Sequence, residues 1–260
     1  IGRNFMNKLW NVCRFIQLNM DSIYKYDINI NDEEYGLPDR WILSRLSRAV
    51  TDYNMQLDRF HFNEAAKVLY EFTWNDFCDW YIEIAKISFN NDEDKSRKTS
   101  LNISVFCIKN LLRLLHPYSP FITEELWAHF KDDNSSDLII SKWPSRKPNF
   151  KNEKVEKDMS IVKEIITALR SIRSRMNVPK SKKSILIIKC KNSQKSFINL
   201  HEALIKNLSS VTEIQSGLDQ KRPPQSCSAI VQGMELYLPL GGLVDLNQEV
   251  ARMEKRIIEI

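Results

Sequence analysis

An apolar rhythm of helical period runs through the first 130 residues of this chain, and it constrains the fold more than any other feature. Phe5, Leu9, Val12, Ile16 and Met20 recur at spacings of three and four, which predicts an amphipathic first helix. A polar stretch over 27–36 ends in Gly36; Pro38 suits the first turn of a helix, and Asp39 suits its N-terminal dipole. Trp41, Leu43, Leu46, Val50, Tyr53 and Leu57 predict the second helix. The third is predicted over about 62–89, with Tyr70, Trp74, Phe77, Tyr81 and Ile84 on one face. A fourth follows the polar run 90–100 and stops near Leu115, because Pro117 has no N–H to donate and restricts His116 before it. Ser119 and Pro120 have the order of an N-cap and a first helical residue, which predicts a fifth helix reaching Phe130.

The pattern changes after Trp143 and Pro144. Prolines 144 and 148 with the lysines that follow predict a linker, then a helix over about 154–176. Ser184–Cys190 is a short β-rich apolar run; a helix at 195–207 and strands at 211–216, 227–232 and 234–239 can follow. Leu246, Val250, Met253, Ile257 and Ile260 form a heptad seam of about two heptads, too short to be stable alone. The fold class expected is mainly α: an antiparallel helical bundle over 1–147, a small α/β module over 148–243, and a truncated coiled-coil helix over 244–260. A chain that begins at Ile1 and stops inside a heptad seam is expected to be a piece of a longer protein.

The net charge of +5 is unevenly placed. Residues 1–150 hold 19 basic and 21 acidic side chains, or −2, whereas residues 151–260 hold 19 and 12, or +7. The stretch 163–195 has ten basic residues against one acid, Glu164. Such asymmetry points to an anionic polymer, although a solvated surface produces the same pattern. Five scattered Cys with no CxxC spacing predict reduced thiols and a cytoplasmic protein, and no apolar run is long enough for a membrane partner.

No phosphate-binding glycine loop, nucleophile elbow or paired-histidine metal motif is present, so no catalytic residue, metal or cofactor is expected in this chain itself. Asp76, Asp79 and Glu83 share a helical face, but a face paired with neighbouring cations explains them better than a metal cage. Pro179–Ser184 has the look of a phosphate-stabilising lysine loop, yet it leads into an apolar strand and reads as a charged connector.

Two features point to RNA. Residues 1–20 contain Arg3, Lys8 and Arg14 and no acid, and Arg3, Asn7, Asn11 and Arg14 fall along one stripe beside Trp10. Arginine and asparagine offer donors and acceptors in fixed planes, and tryptophan can stack on an unpaired base. The second feature comprises Lys163, Arg170, Arg173, Arg175, Lys180, Lys182 and Lys183, charge that would neutralise phosphates without reading sequence. Each has a plain structural alternative: a core Trp10, and a solvated face of the α/β module.

These residues also carry a family likeness. Lys8-Leu-Trp-Asn11 with Arg14-Phe15 resembles the opening of the anticodon-binding helical domain in class I aminoacyl-tRNA synthetases of the valine, isoleucine and leucine group. Asp39-Arg-Trp-Ile-Leu-Ser-Arg-Leu46 resembles that domain's second helix. Phe62-Asn-Glu-Ala-Ala66, Phe77-Cys-Asp-Trp-Tyr81, Leu114-Leu-His-Pro117, Pro120-Phe-Ile-Thr-Glu-Glu-Leu-Trp127 and Ser141-Lys-Trp-Pro144 are similar to the valine-specific branch. Ala168–Pro179 fits the segment after the bundle, and Gly242–Arg252 resembles the start of that branch's coiled-coil arm. The likeness runs in order along nearly the whole chain and is weakest over 190–230.

The resemblance implies a tRNA-holding piece of an enzyme that joins valine to its tRNA with ATP and Mg. Catalytic and editing parts would lie elsewhere, and the partner would be valine-specific tRNA, with no DNA and a monomeric state. The alternatives are the matching region of an isoleucine enzyme, which lacks the heptad arm, and a helical protein-interaction module.

Overall fold

The computed structural model describes residues 2–20, 35–89, 94–131, 136–145 and 147–243. The coiled-coil reading of 244–260 lies outside them. The chain divides into two compact units, residues 1–157 and 158–260.

The first unit is built from helices. In α1 (Gly2–Asn19) the residues Phe5, Leu9, Cys13 and Ile16 are buried, so a thiol takes the inward position next to half-buried Val12. In α2 (Leu37–Asp58), the N–H of Gly36 donates to Asp39 Oδ2 at 3.1 Å, which satisfies one of the orphan donors of a helix start. This helix buries Trp41, Ile42, Leu43, Leu46, Val50 and Tyr53. A turn through Phe60, at φ +59°, leads to α3 (Phe62–Glu71).

The third predicted helix is not uniform. After α3 the chain forms a ten-residue π-helical stretch, Phe72–Tyr81, and resumes as α4 (Ile82–Phe89). A π turn bonds residues five apart and rotates the following side chains. The buried set here is accordingly Phe72, Thr73, Asp76, Phe77, Cys78 and Tyr81, a broader face than a 3.6 period marks. Tyr70 and Trp74 lie between buried and exposed, stacked at 5.7 Å, and Phe5 stacks with Tyr70 at 5.3 Å.

Helix α5 (Asp94–Leu115) runs through the middle of the unit and buries Ile103, Ile108, Leu111 and Leu112 completely. At about 1.5–3 kcal/mol per fully buried large aliphatic side chain, such residues dominate the stability of the unit. Helix α6 (Pro120–Trp127) is shorter than expected, and Phe130 is buried just beyond it. Ser119 stands at the cap position but makes no side-chain cap bond; Thr123 Oγ1 donates to the Ser119 carbonyl at 2.8 Å instead. The first turn of α7 (Glu153–Arg175) closes the unit. There Glu156 accepts from Ser44 Oγ at 2.5 Å and meets Arg48 at 3.0 Å, while Arg45 pairs with Asp76 at 2.7 Å.

The second unit holds a four-stranded mixed sheet in the order β2-β1-β4-β3. The strands are β1 (Ser184–Lys189), β2 (Val211–Gly217), β3 (Ser226–Val231) and β4 (Met234–Pro239). β1 and β2 are parallel, and the crossover between them carries two helices, α8 (Asn192–Leu200) and α9 (Glu202–Ser209), in place of the single one predicted. β4 is antiparallel to β1 and β3. Val231 pairs with Met234 across a two-residue turn at Gln232 and Gly233, whose φ values of +49° and +73° match the mirror-image turn that twists with a hairpin. Met159, Val162, Ile166, Leu169 and Ile172 of α7 are buried with Leu186, Ile188, Leu236 and Leu238 of the sheet.

Candidate nucleic-acid interface

Helix α1 turns its apolar residues inward, so its other face is exposed by default. Arg3, Asn7, Trp10, Asn11 and Arg14 are all exposed, Trp10 at 40%. Trp10 therefore does not take the core position that was its structural alternative. Lys8 is half-buried, pairs with Asp79, and places its Nζ 3.8 Å from the centre of the Trp74 ring. Its charge is met from inside the unit.

The stripe borders a groove of about 450 Å³. From α1 come Asn4, Asn7, Lys8, Asn11, Val12 and Phe15; from the π-helical stretch and α4 come Cys78, Asp79, Ile82, Glu83 and Lys86. Lys86 bonds Glu83 at 2.5 Å and lies 5.5 Å from the Phe15 ring. The groove therefore joins three amides to two neutralised ion pairs above an apolar floor. Such a lining can hydrogen-bond a planar polar group and hold it against hydrocarbon. Burial pushes the Cys78 thiol in this lining up to about 12 despite the pull of Lys8, and burial also raises Cys13 in the core of α1.

Sequence reasoning named the α1 half of this groove and missed Asp79, Glu83 and Lys86 as its other wall. Asp79 and Glu83 share a helical face with Asp76, the face expected to be paired with neighbouring cations; nothing in the sequence singles out Lys86. The three carboxylates of that face each have a basic partner: Arg45 for Asp76, Lys8 for Asp79 and Lys86 for Glu83. Among the described residues no group of three or more His, Cys, Asp or Glu could hold a metal ion.

The second basic feature divides on inspection. Arg173 is 6% exposed and reaches inward. Its Nη1 donates to Ser184 Oγ at 3.3 Å, and its Nη2 donates to the carbonyls of Pro179, at 2.8 Å, and Lys182. Its place is therefore a clamp on the loop from Pro179 to β1, which corrects the expectation that it lies on a phosphate-facing surface. Desolvation lowers its pKa, as burial of a cation must. Arg170 is exposed, but its Nε and Nη2 both donate to the Leu208 carbonyl, at 3.2 and 3.1 Å, near the end of α9. Lys182 Nζ donates to the carbonyls of Gly242 and Leu243 at 3.1 and 3.0 Å. Arg175, Lys180 and Lys183 are exposed, and Lys163 is half-buried.

A family described as the anticodon-binding domain of tRNA ligase matches residues 39–189. The valine–tRNA ligase of Enterococcus faecalis is 36% identical over 255 residues, 98% of this chain and 29% of that protein. The valine–tRNA ligase of Bacillus subtilis is 34% identical over 253 residues, 97% of this chain and 28% of that protein. The chain thus spans less than a third of the length of the curated relatives it matches. A solved LeuRS-tRNA-LeuAMS ternary complex from Agrobacterium radiobacter K84 is 18% identical, over 68% of this chain and 22% of that one. Its TM-score with this chain is 0.41. With more than half of its residues matched by one family, this chain belongs to the anticodon-binding domains of tRNA ligases.

Proposed function

We propose that this chain is the tRNA-holding part of a valine–tRNA ligase, and that α1 and the groove beside it receive the anticodon. The observation that carries this reading is the exposed row Arg3, Asn7, Trp10, Asn11 and Arg14 on a helix without acids, in a chain about 35% identical to valine–tRNA ligases. Arginines meet phosphates, amides meet base edges and Trp10 offers a stacking plane. In this reading residues 1–147 are the anticodon bundle, 148–243 an α/β module with accessory phosphate contacts, and 244–260 the start of an arm. Arg175, Lys180 and Lys183 are the best placed of the accessory contacts, since they are exposed.

Valine activation with ATP and Mg belongs to other parts of the enzyme, and the working form is a cytoplasmic monomer. Five cysteines without a disulfide support a reducing compartment. Among the described residues no helix is long and apolar enough to cross a membrane.

Equilibrium binding to valine tRNA transcripts tests the reading. Exchanging the last two anticodon bases should weaken binding about tenfold or more, the worth of one or two lost base contacts. Equal affinity for all anticodons would remove anticodon reading from this chain.

A further inference from the structure

A second groove, of about 650 Å³, opens between α6 and the short 3-10 turn at Leu138–Ile140. It has a different character from the α1 groove. Phe121 is 91% exposed, Ile139 73% and Ile140 75%, and Phe121 and Ile139 share the lining with Trp127 and Pro120. Large apolar side chains left this open on a folded surface mark a contact site. Among the described residues, Glu124, Glu125 and Asp137 stand in the same lining with His116 and with Lys131, which pairs with Asp137 at 3.3 Å. Glu124 also holds the turn in place by accepting the N–H of Leu138 at 2.9 Å.

The chemistry selects the occupant. A nucleic acid would bring phosphates toward Glu124 and Glu125, a repulsion that the stacking plane of exposed Phe121 does not offset. A second copy of this chain would set Glu124, Glu125 and Asp137 against themselves in a two-fold contact. What fits is a protein surface with an apolar centre and basic residues around it. The relatives are more than three times as long as this chain, so a ligase of this kind has further polypeptide that could supply it.

We propose that the α6 groove docks a part of the ligase polypeptide outside this chain, with Phe121 and Ile139 as the anchors in the groove and exposed Ile140 covered beside them. The inference rests on reading the chain as part of a valine–tRNA ligase. Docking here would fix the bundle relative to the rest of the enzyme without using the α1 face that receives RNA.

Thiol accessibility separates the two claims. Phe121→Cys and Ile140→Cys would be alkylated with N-ethylmaleimide, in this chain and in the intact ligase, and followed by peptide mass spectrometry. Asn11→Cys is the reference. Docking predicts that positions 121 and 140 react at the rate of an exposed thiol in this chain, and about tenfold or more slowly in the intact enzyme without tRNA. Asn11→Cys should react equally in both until valine tRNA is added.

Equal rates at 121 and 140 in the two proteins would overturn the docking claim. So would protection that appears only with tRNA, which would make the occupant RNA. Protection that grows with the concentration of this chain alone would make it a second copy. An Asn11→Cys thiol that tRNA never protects would instead break the functional reading and leave the docking result standing. Amide exchange over Pro120–Trp127 in the unsubstituted proteins gives an independent measure, expected to be slower in the intact ligase.

Discussion

Helix α1 and the segment 170–183 are both rich in cations, but their side chains find different partners. On α1 the apolar residues take the inward face, and Arg3 and Arg14 are left exposed at either end of a row of amides. In the segment, Arg173 is buried among carbonyls, Arg170 holds the end of α9, and Lys182 holds the backbone at Gly242 and Leu243. A guanidinium has five donors in a plane, so it can tie two backbone carbonyls and a hydroxyl together as readily as it can grip a phosphate. Positive charge in a sequence is therefore not positive charge offered to a ligand.

The largest test of this contrast is Arg173→Ala. It would leave the carbonyls of Pro179 and Lys182 and the Ser184 hydroxyl without their donor, and should cost about 2–4 kcal/mol in denaturant unfolding of the 158–260 unit. A loss of RNA affinity with stability untouched would return Arg173 to the surface set. Arg3→Ala and Arg14→Ala should behave in the opposite way. Each is expected to weaken tRNA binding by about 1–2 kcal/mol and to leave unfolding unchanged. If either variant unfolds earlier and binds as before, the α1 stripe is structural.

The two units should also respond to pH with opposite sign. Burial raises Asp39 to about 6, against the bonds it accepts from Tyr81 and Gly36 and the nearby Arg40. Its folded form thus takes up a proton more readily than its unfolded form, so the first unit gains stability as pH falls from 7 toward 4, on the order of 2 kcal/mol. Burial lowers His201, against the pull of Asp158, so the second unit loses stability as pH falls through about 6.5. All six tryptophans precede residue 144, so their fluorescence reports the first unit alone, while amide exchange in β1 and β4 reports the second. Asp39→Asn should flatten the fluorescence-detected response; an unchanged slope would assign it to another group.

The smallest effects are expected at Lys180 and Lys183. Alanine at either should weaken tRNA binding by about 0.5 kcal/mol and reduce the salt slope by about one. A salt slope that does not change would leave the segment with a structural role only.

Helix positions were legible because short-range rules set them. Pro117 stops α5 two residues earlier, Gly36 and Asp39 open α2, and the strand from Ser184 begins where it was expected. Features that depend on distant residues were not. Nothing local announces that Phe72–Tyr81 winds as a π-helix, that the Ser119 side chain makes no cap bond, or that the predicted 195–207 helix is two.

By itself the sequence determined the order of helices and strands, the inward face of α1 and the family, because periodicity, prolines and motif residues act within a few positions of one another. Only the tertiary structure decided which charges are available. Asp79 lies 71 residues from Lys8 and neutralises it, and a loop folded back over Arg173 buries it. Burial and pairing are set by whichever groups the packed chain brings within hydrogen-bond reach, and residue type and spacing do not encode that locally.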